Sequence, residues 1–186
     1  MAEERFPRVV SLACHDLRTP LATIYGFART LTRAGELDER TTRFLGMIEE
    51  AAEQMTVLLD ELGTAARIEG GRWEPALREA DTLQLATSGD ERVDATGQGE
   101  AVATDVEVVA RSLEALAVAA ARHGPVDQVT WTVHGRVFEL APITVEAGRV
   151  ITGEELRDLG SIVARSVIEE LGGSFELTGD VLRVTL

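Results

Sequence analysis

Residues 10–31 read VSLACHDLRTPLATIYGFARTL, and this stretch decides how the N-terminal part of the chain folds. Its apolar side chains recur at alternating steps of four and three residues, which is the spacing of a heptad seam on one helix face. The seam consists of Val10, Cys14, Leu17, Leu21, Ile24, Ala28 and Leu31. The pattern predicts one helix over residues 4–34, which Pro20 should bend or loosen about one turn beyond His15.

A second helix is predicted over residues 39–69, with Gly35 ending the first helix and Asp38 as the N-cap of the second. Its apolar residues form two neighbouring stripes, which are Phe44, Ile48, Ala51, Met55, Leu58, Leu62 and Ala65, and beside them Leu45, Ala52, Leu59 and Ala66. One antiparallel hairpin cannot cover both stripes, whereas two hairpins can do so as a four-helix bundle. We therefore expect a homodimer through residues 4–69. An intramolecular bundle with later helices is the alternative.

The composition changes after Gly70-Gly71, and residues 71–186 predict an α/β sandwich. Short strands or extended pieces are expected at 73–77, 83–87, 92–95 and 101–104, helices at 105–122 and 154–171, and hairpins at 129–134 with 136–141 and at 174–178 with 181–186. The polar stretch 90–100 is expected to be a loop region. The predicted fold class is therefore α+β, with a helical hairpin followed by a sandwich whose sheet is rich in antiparallel pairs.

The charge pattern narrows the classes of partner. The 186 residues carry a formal net charge of −14, and all 18 basic residues are arginine. An acidic chain without basic clusters repels nucleic acid and anionic membranes. No apolar run approaches the roughly 20 residues of a membrane span, and residues 1–5 lack a signal-peptide pattern. The chain has one cysteine, which excludes an internal disulfide. We expect a cytoplasmic protein without a metal site, since the histidines, Cys14 and acids lack metal-ligand spacing.

Two stretches resemble the catalytic core of two-component sensor histidine kinases. The run Cys14-His15-Asp16-Leu17-Arg18-Thr19-Pro20-Leu21 resembles the family's H-box, and residues 159–177 resemble its second glycine box with the helix and strand that follow. The resemblance implies a dimerisation and phosphoacceptor hairpin over residues 1–70 and a Bergerat-fold ATP-binding domain over residues 71–186. Only 14 residues precede His15, so we expect no sensor domain before it.

The second domain departs from this family where nucleotide would bind. At the two N-box positions where the family places asparagines that hold Mg²⁺ and phosphate, this sequence has Ala115 and Ala119, and alanine offers a metal no lone pair. Residues 138–143 lack the family's Asp-x-Gly-x-Gly box, Asp158 stands where a glycine would approach phosphate, and residues 69–186 hold 21 acids against ten arginines. We expect a degenerate domain that binds neither ATP nor another cofactor. A diverged but working nucleotide site is the alternative.

Without ATP, His15 would take phosphate from an aspartyl phosphate on another protein, as in the dimeric phosphorelay phosphotransferases that this architecture resembles. Histidine suits this role because a neutral ring nitrogen is nucleophilic and an unperturbed imidazole is mostly neutral at pH 7. Asp16 could orient the ring or accept its proton, and Arg18 could offset phosphate charge. Thr19 lies on the same helical face, at the position where the family places a polar residue that helps to hydrolyse receiver phosphate. Mg²⁺ is expected from the receiver partner.

We expect response-regulator receiver domains to dock on a face separate from the seam, formed by Ala22, Tyr25, Gly26 and Arg29. The small residues allow close approach, while Tyr25 and Arg29 are good anchors. A Tyr25 that is merely half-buried in the bundle is the alternative.

The sequence thus predicts a histidine phosphotransferase of a bacterial two-component phosphorelay, which passes phosphate between receiver aspartates through His15 without autophosphorylation from ATP. A receiver phosphatase that uses Thr19 and Asp16 is one alternative, and a non-enzymatic dimeric adaptor or kinase inhibitor is another. An active sensor histidine kinase is the least favoured of these hypotheses.

Overall fold

A computed structural model describes residues 2–35 and 37–186, with side chains from residue 6 onward. The described chain divides into two compact units, one ending at Arg72 and the other spanning Trp73–Leu186. Met1 and Glu36, which belong to the predicted domain 1–70, lie outside the described residues.

The first unit is a helical hairpin of α1 (Ala2–Arg33) and α2 (Glu39–Glu69). The helix α1 is continuous through Pro20, and the chain leaves it at Gly35, whose φ of +80° suits a residue without a side chain. Asp38 caps α2 as predicted, because its carboxylate accepts the backbone N–H of Thr41 at 2.8 Å. The hydrogen bonds from the Thr41 backbone and hydroxyl lower the pKa of Asp38.

Every second member of the predicted seam on α1 faces α2. Cys14 and Leu21 are buried against Ala52 and Leu59, with Val10 and Tyr25 packed around them. Three later members of the seam stay exposed in the single chain, namely Leu17, Ile24 and Leu31. The large residues of the first stripe on α2 are exposed as well, namely Phe44, Ile48, Met55, Leu58 and Leu62. The hairpin alone therefore buries one of its two apolar faces and leaves the other uncovered.

The second unit contains a five-stranded sheet and a separate two-stranded sheet. Its strands are β1 (Leu77–Asp81), β2 (Val93–Gln98), β3 (Ala101–Asp105), β4 (Val129–His134), β5 (Val137–Ala141), β6 (Ser174–Thr178) and β7 (Val181–Thr185). The larger sheet has the order β2-β4-β5-β7-β6, in which β2 runs parallel to β4 and all other neighbours are antiparallel. The smaller sheet pairs β1 with β3 in antiparallel register.

Four helices complete this unit: α3 (Thr82–Leu85), α4 (Val106–His123), α5 (Val145–Ile151) and α6 (Leu159–Glu170). Helices α4 and α6 contribute fully buried residues to a core with the inward-facing side chains of the sheet, such as Leu116 and Ile168 with Trp131, Phe138 and Leu182. The alternation of buried and half-exposed residues along β4 and β5 is the period-two pattern of a sheet with one covered face. The predicted α/β sandwich is thus confirmed.

Several predicted elements of the second unit are wrong or displaced. Residues 83–87 form no strand, because Asp81 accepts the backbone N–H groups of Leu83 and Gln84 and starts the helix α3 there. The strand expected at 73–77 begins only at Leu77. The stretch 90–100 is not a loop region, because β2, predicted only at 92–95, extends to Gln98 by pairing with the buried strand β4.

The helix predicted over 154–171 begins later, at Leu159, where the Asp158 side chain caps it. The sequence pattern predicts no helix between residues 141 and 154, yet α5 lies there, with Thr144 as its N-cap. Seven residues make α5 too short for a clear helical period.

Candidate functional site

His15 lies at the middle of α1 and points into solvent, with 76% of its side chain exposed. Its Nδ1 is 3.1 Å from Oδ1 of Asp16, the residue that follows it. An adjacent carboxylate that contacts one ring nitrogen orients the imidazole and favours a proton on that nitrogen. The other nitrogen, Nε2, then carries the lone pair that could attack an electrophile.

Arg18 and Thr19 follow within about one helical turn, but they have different surroundings. The guanidinium of Arg18 is directed to α2, where Nη2 donates to Oδ1 of Asp60 at 2.6 Å. Thr19 has an exposed side chain, and its carbonyl accepts the hydroxyl of Thr23 at 3.0 Å. The structure therefore leaves Thr19 accessible beside His15 and gives Arg18 a cross-helix partner that the sequence did not predict.

The residues predicted to dock a receiver also fall into two groups. Ala22 and Gly26 are exposed, and a Cβ on Gly26 would contact nothing within 4 Å. Tyr25 is half-buried, and its hydroxyl donates to Glu53 of α2 at 3.0 Å. Arg29 donates to the same hydroxyl at 3.1 Å, and its guanidinium carbon lies 5.7 Å from the centre of the Tyr25 ring. Tyr25 and Arg29 thus make hydrogen bonds within the hairpin, while Ala22 and Gly26 form an exposed surface.

The second unit places the two predicted N-box positions on α4. Ala119 is 0% exposed and belongs to the packed core, whereas Ala115 is half-buried. The same core includes Ala147 and Ile151 of α5 and Ile143, which precedes that helix. The C-terminal end of α4 also approaches α5 closely, because a Cβ on Gly124 would lie 3.0 Å from the hydroxyl of Thr144.

Asp158 lies at the start of α6, where the family resemblance implies a glycine that approaches phosphate. Oδ1 of Asp158 accepts the backbone N–H of Ser161 at 3.0 Å and so caps the helix. Its Oδ2 lies 3.5 Å from Nη1 of Arg122 and 3.4 Å from Nε2 of His123, although the histidine contact lacks hydrogen-bond geometry. Nearby, His123, Val145 and Arg149 line a cavity of about 190 Å³. No pattern in the sequence predicted this cluster.

Comparison with known proteins settles the family. Residues 8–71 match the His Kinase A (phospho-acceptor) domain. Over 214 residues the chain is 31% identical to the sensor protein KdpD of Mycobacterium tuberculosis, which covers 95% of this chain and 25% of KdpD. The chain is a two-component histidine kinase core. The sensor histidine kinase TrcS of the same organism is 42% identical over 69 residues, which covers 36% of this chain and 13% of TrcS.

The fold of this histidine kinase core agrees with a solved structure. Full-length ShkA, crystallised in complex with AMPPNP, superposes with a TM-score of 0.66 at 17% identity and covers 96% of this chain and 44% of ShkA. The chain spans about a quarter of the length of KdpD. The comparisons therefore relate this chain to two-component histidine kinases, of whose length it spans only part.

Among residues 2–35 and 37–186, no group of three or more His, Cys, Asp or Glu side chains could hold a metal ion. Within the same residues, no helix of this histidine kinase core is long and apolar enough to cross a membrane.

Proposed function

We propose that this chain is a histidine phosphotransferase that moves phosphate between receiver aspartates through His15 and does not load His15 from ATP. The observation that carries the proposal is the environment of Ala119. It stands where the family places a metal-binding asparagine, and it is 0% exposed in a packed apolar core. A nucleotide site needs polar donors there that face a cleft.

Two further features fit the loss of Mg²⁺-nucleotide binding. Ala119 shares one buried apolar core with Ile143, Ala147 and Ile151, and a Cβ on Gly124 at the end of α4 would lie 3.0 Å from the Thr144 hydroxyl at the start of α5. The carboxylate of Asp158 already caps α6 and lies 3.5 Å from the Arg122 guanidinium, so it would repel a phosphate from the same place. The residues present therefore do not fit Mg²⁺-nucleotide.

The exposed imidazole supports direct transfer from a receiver. The lone pair on Nε2 of His15 forms an N–P bond as the O–P bond of the acyl phosphate breaks, and the receiver aspartate leaves as a carboxylate. The ring becomes an imidazolium that keeps its Nδ1 proton, which Asp16 stabilises across the 3.1 Å contact. The reverse sequence of bond changes passes the phosphoryl group to a second receiver. The Mg²⁺ that such a step needs would come from the receiver.

We further propose that the hairpin forms a homodimer, that receiver domains dock around Ala22 and Gly26, and that the protein acts in the cytoplasm. The uncovered apolar residues of α1 and α2 make a continuous face of the kind that a four-helix bundle buries. The formal charge of −14 disfavours nucleic acid and anionic membranes as partners.

Phosphotransfer between purified receivers tests the proposal. Each candidate receiver is phosphorylated, freed of its donor and mixed with this protein and a second receiver. Label should reach the protein and then the second receiver, and His15→Ala should abolish both transfers. If no receiver labels the protein, or if His15→Ala leaves transfer unchanged, the proposed function is wrong.

A second candidate, a receiver phosphatase, is favoured by one observation, the exposed side chain of Thr19 beside His15. A hydroxyl there could orient a water molecule against the receiver's aspartyl phosphate. In that case Thr19→Ala should abolish dephosphorylation of the receiver while His15 still accepts phosphate. Full function of a His15→Ala variant in cells would instead support the non-enzymatic adaptor.

A further inference from the structure

Arg18 can bind either of two anions, the carboxylate of Asp60 or a phosphoryl group on His15. It lies three positions after His15 on α1, and residues at this spacing have Cβ atoms about 5–6 Å apart. The long arginine side chain therefore reaches a phosphoryl group on the imidazole, and its planar guanidinium matches phosphate oxygens. In the structure, the guanidinium instead donates to Asp60 on α2. Once His15 carries a phosphoryl group, that group and Asp60 compete for one cation.

The contact between Arg18 and Asp60 is weak enough to exchange. The two side chains are 41% and 31% exposed, and exposed ion pairs shift an equilibrium by less than about fivefold. Arg67 brings a like charge to the same place, because a Cβ on Gly63 would lie 3.6 Å from Nη2 of Arg18 and 3.6 Å from Nη1 of Arg67. A phosphoryl group with up to two negative charges and three acceptor oxygens is a stronger partner than one carboxylate oxygen.

We propose that Asp60 is a positioning residue that lowers the share of phosphate on His15 by holding Arg18 away from the phosphoryl group. Because Arg18 stabilises the N–P form only when it leaves Asp60, the carboxylate shifts the equilibrium toward the acyl phosphate of the receiver. This inference rests on the proposed function to the extent that His15 accepts phosphate. A carrier that passes phosphate onward needs such a bias, since too stable a phosphohistidine would trap the group.

The equilibrium between phosphorylated His15 and a phosphorylated receiver measures this bias. Asp60→Asn should raise the ratio of phosphohistidine to phosphoaspartate about threefold to fivefold, and Asp60→Glu should keep it near the original value. In an Arg18→Gln background, Asp60→Asn should change nothing, because the group it releases is gone. The matched control is Glu50→Gln, which removes one exposed acid from the same helix and should leave the ratio unchanged.

The proposal is overturned if Asp60→Asn leaves the ratio unchanged, or if its effect persists without Arg18. A purely structural role for Asp60 would give the second result. Thermal unfolding checks that each variant folds, and Asp60→Ser, which also lacks the charge, replaces the Asn variant if that variant does not.

A separate arm distinguishes failure of this inference from failure of the proposed function. Phosphoramidate phosphorylates exposed histidines chemically, so His15 can be loaded without any receiver. The NMR signals of the Arg18 guanidinium should then shift on phosphorylation, and more strongly in Asp60→Asn than in the original protein. Unchanged Arg18 signals in both proteins contradict the inference whether or not a receiver labels His15.

Discussion

Ala119 distinguishes a working nucleotide site from a lost one, because an asparagine at this position should have different effects in the two cases. In an open cleft an asparagine there would be tolerated, whereas a fully buried position must enclose its amide without partners. The burial of this residue could not be read from the sequence, because it depends on how the elements of the second unit pack into one core.

Ala119→Asn should therefore destabilise the second unit by about 2 kcal/mol or more, through overpacking and an unsatisfied buried amide. Ala115→Asn is the matched control, because this half-buried position lets the amide reach water and should cost less than about 1 kcal/mol. Denaturant unfolding measures both changes. Equal stability of the two variants, or gain of Mg²⁺-nucleotide binding by Ala119→Asn, would contradict our account of this position.

Asp90 provides a prediction on pH. The guanidinium and then the backbone N–H of Arg92 lower the pKa of Asp90 to about 2, against about 3.9 in an unfolded chain. A lowered folded pKa stabilises the fold above pH 4, and this contribution is lost as the pH falls toward 2. Because 43% of the Arg92 side chain is exposed, we expect about 1 kcal/mol rather than the full value of the shift.

Asp90→Asn should remove this contribution at pH 7, and the variant should lose less stability than the original protein between pH 4 and pH 2. Denaturant midpoints at several pH values test this. Glu169→Gln, which breaks an exposed pair with Arg165 on α6, is the control. Parallel pH profiles for the original protein and Asp90→Asn would show that the Arg92 contact carries no such energy.

The elements that the sequence predicted well are those with a strong period or an evident cap. The helices α1, α2 and α4 and the strands β4 to β7 lie within one or two residues of prediction. The short helices α3 and α5 were missed, and β2 was predicted only in part, at 92–95, because its full length depends on pairing with β4. Asp60 was missed because no local pattern tells which carboxylate across a hairpin meets Arg18.

Asp158 joins α6 to α4 and gives a prediction for these elements. Asp158→Ala removes the cap at Ser161 and leaves the Arg122 guanidinium without this carboxylate, so we expect a loss of about 1–2 kcal/mol. Asp158→Asn keeps an acceptor for the cap and loses only the charge, so it should cost less. Urea unfolding compares the two. If both variants match the original protein, the cap contributes no stability.

For the molecule as a whole, the uncovered face of the hairpin predicts its oligomeric state. Ile24 and Leu58 are 53% and 50% exposed in the single chain, and burying such a face would stabilise a dimer. Ile24→Glu with Leu58→Glu should therefore convert a dimer into a monomer in sedimentation experiments. Thr30→Glu, which places a charge on an exposed position outside the apolar stripe, should remain a dimer. A monomeric original protein, or a dimeric double variant, would contradict the four-helix bundle.

Under the proposed function, His15 can accept a phosphoryl group, but the second unit does not provide one from ATP. The direct test incubates the purified protein with radiolabelled ATP and Mg²⁺, beside a parallel sample that receives a labelled phosphoreceiver. We predict label on His15 only in the sample with the receiver, and none on His15→Ala. Label on His15 from ATP alone would contradict the claim and identify an active kinase.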